Sequence, residues 1–309
     1  MNLDVSIIGS LVPVFIVILT GFVLQWCQFP GDEFWSRAEQ LTYFVLFPSL
    51  LFQKIATASL GPQSVSLMVI VLCTAVFIMA GLLFYIKKWW LSGGPAFTSF
   101  FQGSIRFNSY VGLAATFALF GDSGLTIAAI AMTVLIPLLN ILCVTVLILF
   151  NDQKKGSLQT IFRELIRNPL IIASTSAMML NYTGIGLHPV LEETLSIFGR
   201  AALPVGLLCV GAAVDIAAAR NSGKTVAFSS VLKLIVFPLL MWTLCSLLRL
   251  DPQLSAIAIL FAALPGSPAA YILSRQLGGD SPLIAGIITV QILAAMVTFP
   301  LVMALLAVY

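Results

Sequence analysis

Four stretches of this chain, residues 5–31, 55–86, 123–151 and 281–309, contain no charged side chain. A helix crosses about 30 Å of hydrocarbon with ~20 apolar residues, so each of these runs is long enough to span a bilayer. With 60% hydrophobic and 9% charged residues and a mean hydropathy of +1.08, the 309 residues cannot cover a soluble core with polar surface. Soluble domains carry about 25% charged residues. The runs are also too continuous for the ~10-residue alternating strands of a membrane barrel. The chain therefore reads as an all-α integral membrane protein.

Several function classes drop out on the same grounds. The net charge of +3 is dispersed, and no Lys/Arg cluster stands beside aromatics, so no nucleic-acid partner is expected. The five cysteines, Cys27, Cys73, Cys143, Cys209 and Cys245, lie singly in apolar runs without a CxxC, which points to packing rather than metal or redox chemistry. His188, the one histidine, falls in a polar break where a surface or capping role is expected. No His, Asp or Glu sits mid-span to act as base or metal ligand, so a membrane enzyme is not expected, nor a catalytic residue, metal or cofactor. The start, Met-Asn-Leu-Asp, lacks the positive region of a cleavable signal, and the N-terminus is expected to be retained.

Apolar runs set against polar punctuation give ten spans: 5–26, 34–54, 64–86, 95–120, 125–150, 168–182, 190–214, 225–247, 253–277 and 282–308. The one sizeable polar segment, 151–167, divides them into residues 1–150 and 168–309, five spans each. The halves are self-similar. Leu119-Phe120-Gly121-Asp122-Ser123-Gly124-Leu125 recurs as Leu277-Gly278-Gly279-Asp280-Ser281-Pro282-Leu283 at an offset of 158, and Pro13 and Pro48 recur as Pro169 and Pro204 at 156. Copies with an odd number of spans insert with opposite topology, so the repeat is inverted. Basic residues concentrate on one side: Arg37, Lys87, Lys88, Lys154, Lys155, Arg163, Arg167, Arg220, Lys224 and Arg275, against Lys54 and Arg249 on the other. The positive-inside bias makes the first side cytoplasmic, with the linker inside and both termini external.

Three cations fit no loop. Arg106 in the fourth span, Arg200 in the seventh and Lys233 in the eighth each cost about 2.5 to 3.5 kcal/mol if central in a helix. The twelve acids all fall in loops or near span ends, so the membrane interior reads as net positive and an anion is its complement. For Arg200 and Lys233 two readings stand open: counter-charge to that anion, or snorkelling toward end-of-helix acids such as Asp215. The fourth and ninth spans also contain the helix breaks. Pro265 and Pro268 remove backbone donors, Gly266 is conformationally free, and Asn108, which the offset lays on Gly266, competes with Ser109 for backbone groups. Irregular backbone at mid-membrane persists only when buried in protein or lining a polar cavity. Half-helices restarting there would favour an anion by about 0.3 to 1 kcal/mol each. Thr133 and Gln291, paired by the offset, are expected near the breaks as ligand contacts or as interhelical hydrogen bonds.

The motifs Phe47-Pro48-Ser49-Leu50-Leu51, Arg106-Phe107-Asn108-Ser109-Tyr110-Val111-Gly112-Leu113-Ala114 running on to Leu125, Pro137-Leu138-Leu139-Asn140, Arg167-Asn168-Pro169-Leu170, and Leu264-Pro265 through Gly278-Gly279-Asp280 carry a resemblance to the auxin efflux carrier family of bacterial permeases, over nearly the whole chain. That resemblance implies the fold of sodium-proton antiporters and bile acid symporters. In it, ten helices form two inverted five-helix repeats, and broken helices four and nine cross. It also implies an elevator in which a transport domain (helices 3–5 and 8–10) moves against a scaffold (helices 1, 2, 6 and 7), and a homodimer in the inner membrane. Family substrates are small organic anions such as auxin-like and dicarboxylic acids. One departure is Pro268, where a non-proline residue is expected.

The expected function is a secondary transporter of small organic anions. The expected binding set is Arg106, Asn108, Ser109, Tyr110, Gly266, Ser267, Tyr271, Thr133 and Gln291, with Asn108, Pro265, Gly266 and Pro268 shaping the crossover. With no carboxylate at the crossover, uniport or anion exchange without sodium is expected; the alternative is a sodium- or proton-coupled symporter of the same architecture. A channel fits closed, broken helices less well than alternating access does.

Overall fold

The computed structural model describes residues 3–58, 62–90, 93–150, 166–220 and 223–306, and every regular element among them is a helix. Nearly all of the 151–167 linker and the two chain ends lie outside the described residues. Six helical stretches are long and apolar enough to cross a bilayer: Gly9–Trp26, Ser66–Lys88, Gly94–Leu149, Pro189–Ala212, Lys224–Leu247 and Ser281–Leu305. The protein is thus a multi-pass all-helical membrane protein. Other expected spans fall on helices that are shorter because proline or polar residues interrupt them.

In chain order the helices are α1 (Leu3–Trp26), α2 (Asp32–Leu41), α3 (Phe47–Ala56), α4 (Pro62–Trp90), α5 (Gly94–Ile105), α6 (Ser109–Leu149), α7 (Pro169–Thr183), α8 (Pro189–Ala212), α9 (Ile216–Arg220), α10 (Lys224–Val231), α11 (Phe237–Leu247), α12 (Pro252–Ala263), α13 (Ala269–Leu277) and α14 (Ser281–Leu306). Helix starts follow local chemistry. Asn168, His188 and Asp251 each precede a proline at the first helical position and accept backbone N–H groups one turn ahead. His188 does so through Nδ1, 3.3 Å from the Val190 nitrogen, which bears out its capping role. Helix α6 bends at Gly121, whose φ of 62° and ψ of −153° are open to glycine and strained for any other residue. This kink separates the expected fourth and fifth spans.

Two widened, π-type turns are built by proline. Pro48 has no N–H for the Phe44 carbonyl, and its ring would strike that carbonyl. The turn Thr42–Leu46 accommodates it, with the Phe47 N–H bonding to the Thr42 carbonyl five residues back. The same device precedes Pro238: Leu232–Val236 is widened, and Phe237 N–H bonds to Leu232. Each turn keeps its flanking helices continuous, α2 with α3 and α10 with α11.

The chain forms two compact units. One comprises Met1–Pro62, Tyr110–Ile136 and Leu165–Ala213; the other Gln63–Ser109, Pro137–Glu164 and Val214–Tyr309. In the first unit α1 packs along α8, and α3 packs against α7 and α8. Glycines permit the close approach of α1 and α8. A Cβ on Gly21 would lie 2.1 Å from the Leu208 carbonyl oxygen, and one on Gly211 1.8 Å from that of Ile18. Gly211→Val must push these backbones apart, and is expected to cost about 1 to 3 kcal/mol in thermal unfolding in detergent. A variant as stable as the wild type would contradict this packing. In contrast, the Lys54–Asp122 ion pair of this unit has a largely exposed carboxylate, and Asp122→Asn is expected to change the same measurement by less than about 1 kcal/mol.

In the second unit α14 is the central post, packed against α5, α10, α12 and α13. Its Ile284, Ile287, Ile288, Ile292 and Ala295 are buried, as is all of α12 from Leu254 to Ala263. A helix buried on every face reads as continuously apolar, which is why α12 shows no amphipathic stripe.

Candidate functional site

Helix α5 ends at Ile105 and α12 at Ala263, and the chain leaves each in the same way. Arg106 has φ −73° and ψ 145°, and Leu264 has φ −65° and ψ 146°. These positions are separated by the expected repeat offset of 158, and the chain makes the same extended exit at both. The two breaks then meet: the Asn108 N–H donates to the Pro265 carbonyl at 2.8 Å. Phe107 packs edge-on against Phe261 with ring centroids 5.1 Å apart.

Gln291 of α14 holds both breaks. Its Nε2 donates to the Gly103 carbonyl at 2.9 Å, and its Oε1 accepts the Gly266 N–H at 2.8 Å. The side chain has no exposed surface. A Cβ on Gly266 would stand 2.9 Å from that Oε1, so any other residue there must displace the Gln291 amide. Of the two readings open for Gln291, this geometry realises the interhelical one. Its repeat partner behaves differently, because Thr133 returns its hydroxyl to Ala129 of its own helix at 3.0 Å.

Arg106 turns toward α6. Nη2 donates to Asn140 Oδ1 at 2.8 Å, while Nη1 is buried with no hydrogen-bond partner among the described residues. The residue is 8% exposed. A guanidinium carries five donors, so one amide oxygen leaves most of its capacity unused. Asn108 is fully buried beside it in sequence, and Ser109 opens α6 half-buried. On the second break, Ser267 Oγ accepts the Ala269 N–H at 3.3 Å, and the Ser267 carbonyl accepts that of Ala270 at 3.0 Å. Pro268, the departure from the family pattern, is itself the N-cap of α13, with helical φ −54° and ψ −30°. The proline thus restarts the helix without distorting it. Tyr271 is partly exposed one turn on, with the Arg275 guanidinium 5.9 Å from its ring centroid.

Arg106, Asn108, Ser109, Ser267, Pro268, Tyr271 and Gln291 belong to the second unit, and Thr133 to the first. Tyr110 belongs to the first, where its ring packs edge-on against Phe47 at 4.8 Å and over Gly206. Arg200 is exposed on α8, also in the first unit. Lys233 is fully buried in the widened turn before α11, and its Nζ donates to the Ala262 carbonyl at 3.1 Å, not to Asp215. Segments 102–110 and 260–271 contain no Asp or Glu. No group of three His, Cys, Asp or Glu side chains able to hold a metal occurs among the described residues.

Three polar features escaped the sequence reading. Asn140 was visible only as part of a motif, yet it holds Arg106. Gln102, one turn before Arg106, donates to Ser274 Oγ at 3.0 Å and keeps a buried Oε1 without a partner. Ser104 and Ser229 share a hydrogen bond of 2.9 Å. An uncharged polar residue in an apolar helix is the signal that could have found all three.

Residues 156–303 match the model of a family described as "Membrane transport protein". The chain is also 20% identical over 294 residues to an "Uncharacterized transporter" of Methanothermobacter thermautotrophicus, covering 94% of this chain and 96% of that protein. Both findings bear out the resemblance to the auxin efflux carrier family, and both point to a membrane transporter.

Proposed function

We propose that this membrane transporter carries a small organic anion, such as an auxin-like or dicarboxylic acid, bound at the crossing of its two broken helices. The observation that carries the reading is Arg106: a buried guanidinium at the end of α5, with Nη2 on Asn140 and Nη1 without a hydrogen-bond partner among the described residues, in segments devoid of carboxylates. A buried cation in that state is costly, and a carboxylate is the ligand that offsets the cost. In this reading Asn108, Ser109 and Ser267 supply polar contacts, Gly266 lets backbone approach the ligand, Tyr271 walls it, and Gln291 braces the breaks. Tyr110 and Thr133, which belong to the first unit, are kept in the set on the family motif and the repeat offset alone.

The wider architecture follows from the same repeat. Ten spans in two inverted sets of five are supported by the paired exits at Arg106 and Leu264 and by the bond between the breaks. The elevator, the homodimer and the external placement of both termini are part of this reading, and rest on the family resemblance and on the distribution of basic residues. Without a carboxylate at the crossing, the cycle is uniport or anion exchange, and an inside-negative potential drives efflux by about 2.3 kcal/mol per charge per 100 mV. Proteoliposomes test this. Substrate should move without a sodium or pH gradient and respond to an imposed potential, whereas strict dependence on either gradient would contradict the uncoupled cycle.

A further inference from the structure

Breaking a helix inside a membrane protein leaves the last carbonyls of its first half without intrahelical partners, at the negative end of the helix dipole. In α12 these belong to Leu260, Phe261, Ala262 and Ala263, all buried, where water cannot satisfy them. Lys233 Nζ reaches this end and donates to the Ala262 carbonyl at 3.1 Å, while lying 4.6 Å from the centroid of the Phe237 ring. The lysine makes no ion pair among the described residues and has no exposed surface. Its place is set by the widened turn that Pro238 imposes, and Ser229, on the preceding helix α10, bonds to Ser104 near the end of α5. One continuous helix therefore touches both broken helices just before they cross.

We propose that the Lys233 ammonium is a tethered cation. It occupies the carbonyl end of α12, where a bound alkali cation could otherwise sit, and thereby fixes the crossing and leaves the transport cycle without a coupling cation. Lys233 is a positioning residue and does not touch the substrate. The proposal rests on the crossing being the carrier's site, and it gives a role to a buried lysine in a region with no carboxylate to pair with it.

Substitutions of Lys233 separate charge from volume. Lys233→Ala leaves room for a small cation, Lys233→Met fills the space with a neutral chain, and Lys233→Arg keeps the charge. Uptake by the Ala and Met variants is expected to fall about tenfold or more, the scale of a lost charge-assisted hydrogen bond, with Arg retaining most activity. Propylammonium or sodium chloride, compared with choline chloride, should restore uptake by the Ala variant and not by the Met variant. Neither salt should affect the wild type. Thermal unfolding of the Ala variant without any anion should shift upward with propylammonium, a readout independent of what the carrier transports. Wild-type uptake by the Met variant, or a loss in the Ala variant that no cation repairs in uptake or unfolding, would overturn the proposal. If neither neutral variant folds, the wild type decides: uptake that requires an alkali cation overturns it, and uptake indifferent to sodium, potassium and choline supports it.

Discussion

Arg106→Ala is expected to abolish uptake of organic anion by proteoliposomes while the purified protein remains folded in detergent. Truncating one partner of a buried charge pair costs about 2 to 5 kcal/mol, enough to remove transport above background, because the carboxylate must then be buried at the crossing without its cation. Folding should survive, because the loss removes a buried cation together with its bond to Asn140. The orphaned Asn140 Oδ1 costs only about 1 to 3 kcal/mol. Asn108→Ala is expected to give the same phenotype. Uptake comparable with the wild type in both variants would remove these residues from the site.

Gln291→Leu should act through the fold instead. Leucine preserves volume but strands the Gly103 carbonyl and the Gly266 N–H, both buried at the crossing. Interhelical hydrogen bonds in membranes are worth on average about 0.6 kcal/mol and at most about 1.7, so two lost bonds lower stability by about 1 to 3 kcal/mol. Since the same bonds hold the two breaks to α14, uptake is expected to fall along with the unfolding midpoint. Normal stability with altered substrate affinity would instead make Gln291 a direct ligand.

The parts of this structure that were legible in the sequence are those with few physical alternatives. Charge-free runs longer than ~20 residues have no place but a membrane helix, and Pro265, Gly266 and Pro268 in one span leave a helix little choice but to open. The pairing of Asn108 with this break was readable because the repeat offset carried it across. Side-chain partners were not readable. The sequence offers only acids as partners for Lys233, but its partner is a backbone carbonyl, which has no sequence signature and becomes available only because α12 stops. Pro48 and Pro238 were equally ambiguous, because proline in a helix produces either a kink or a widened turn. Packing on both sides, through Leu46 and Phe47 in one case and Leu234 and Phe237 in the other, accompanies the widened turn. Arg106 reads in the sequence as the charge offered to the substrate, and its anchor on Asn140 is invisible there because it depends on α6 running past the end of α5.

The account stands on an anion binding at the crossing of the broken helices, and ligand-dependent thermal stabilisation of the purified protein across a panel of carboxylic acids tests that directly. Only a molecule that binds the folded state raises its apparent stability, by about 2.7 kcal/mol at a hundredfold excess over the dissociation constant. Selected small carboxylates should raise the unfolding midpoint of the wild type and leave that of Arg106→Ala unmoved. An equal rise in both proteins, or none in the wild type with any carboxylate, would contradict the assignment.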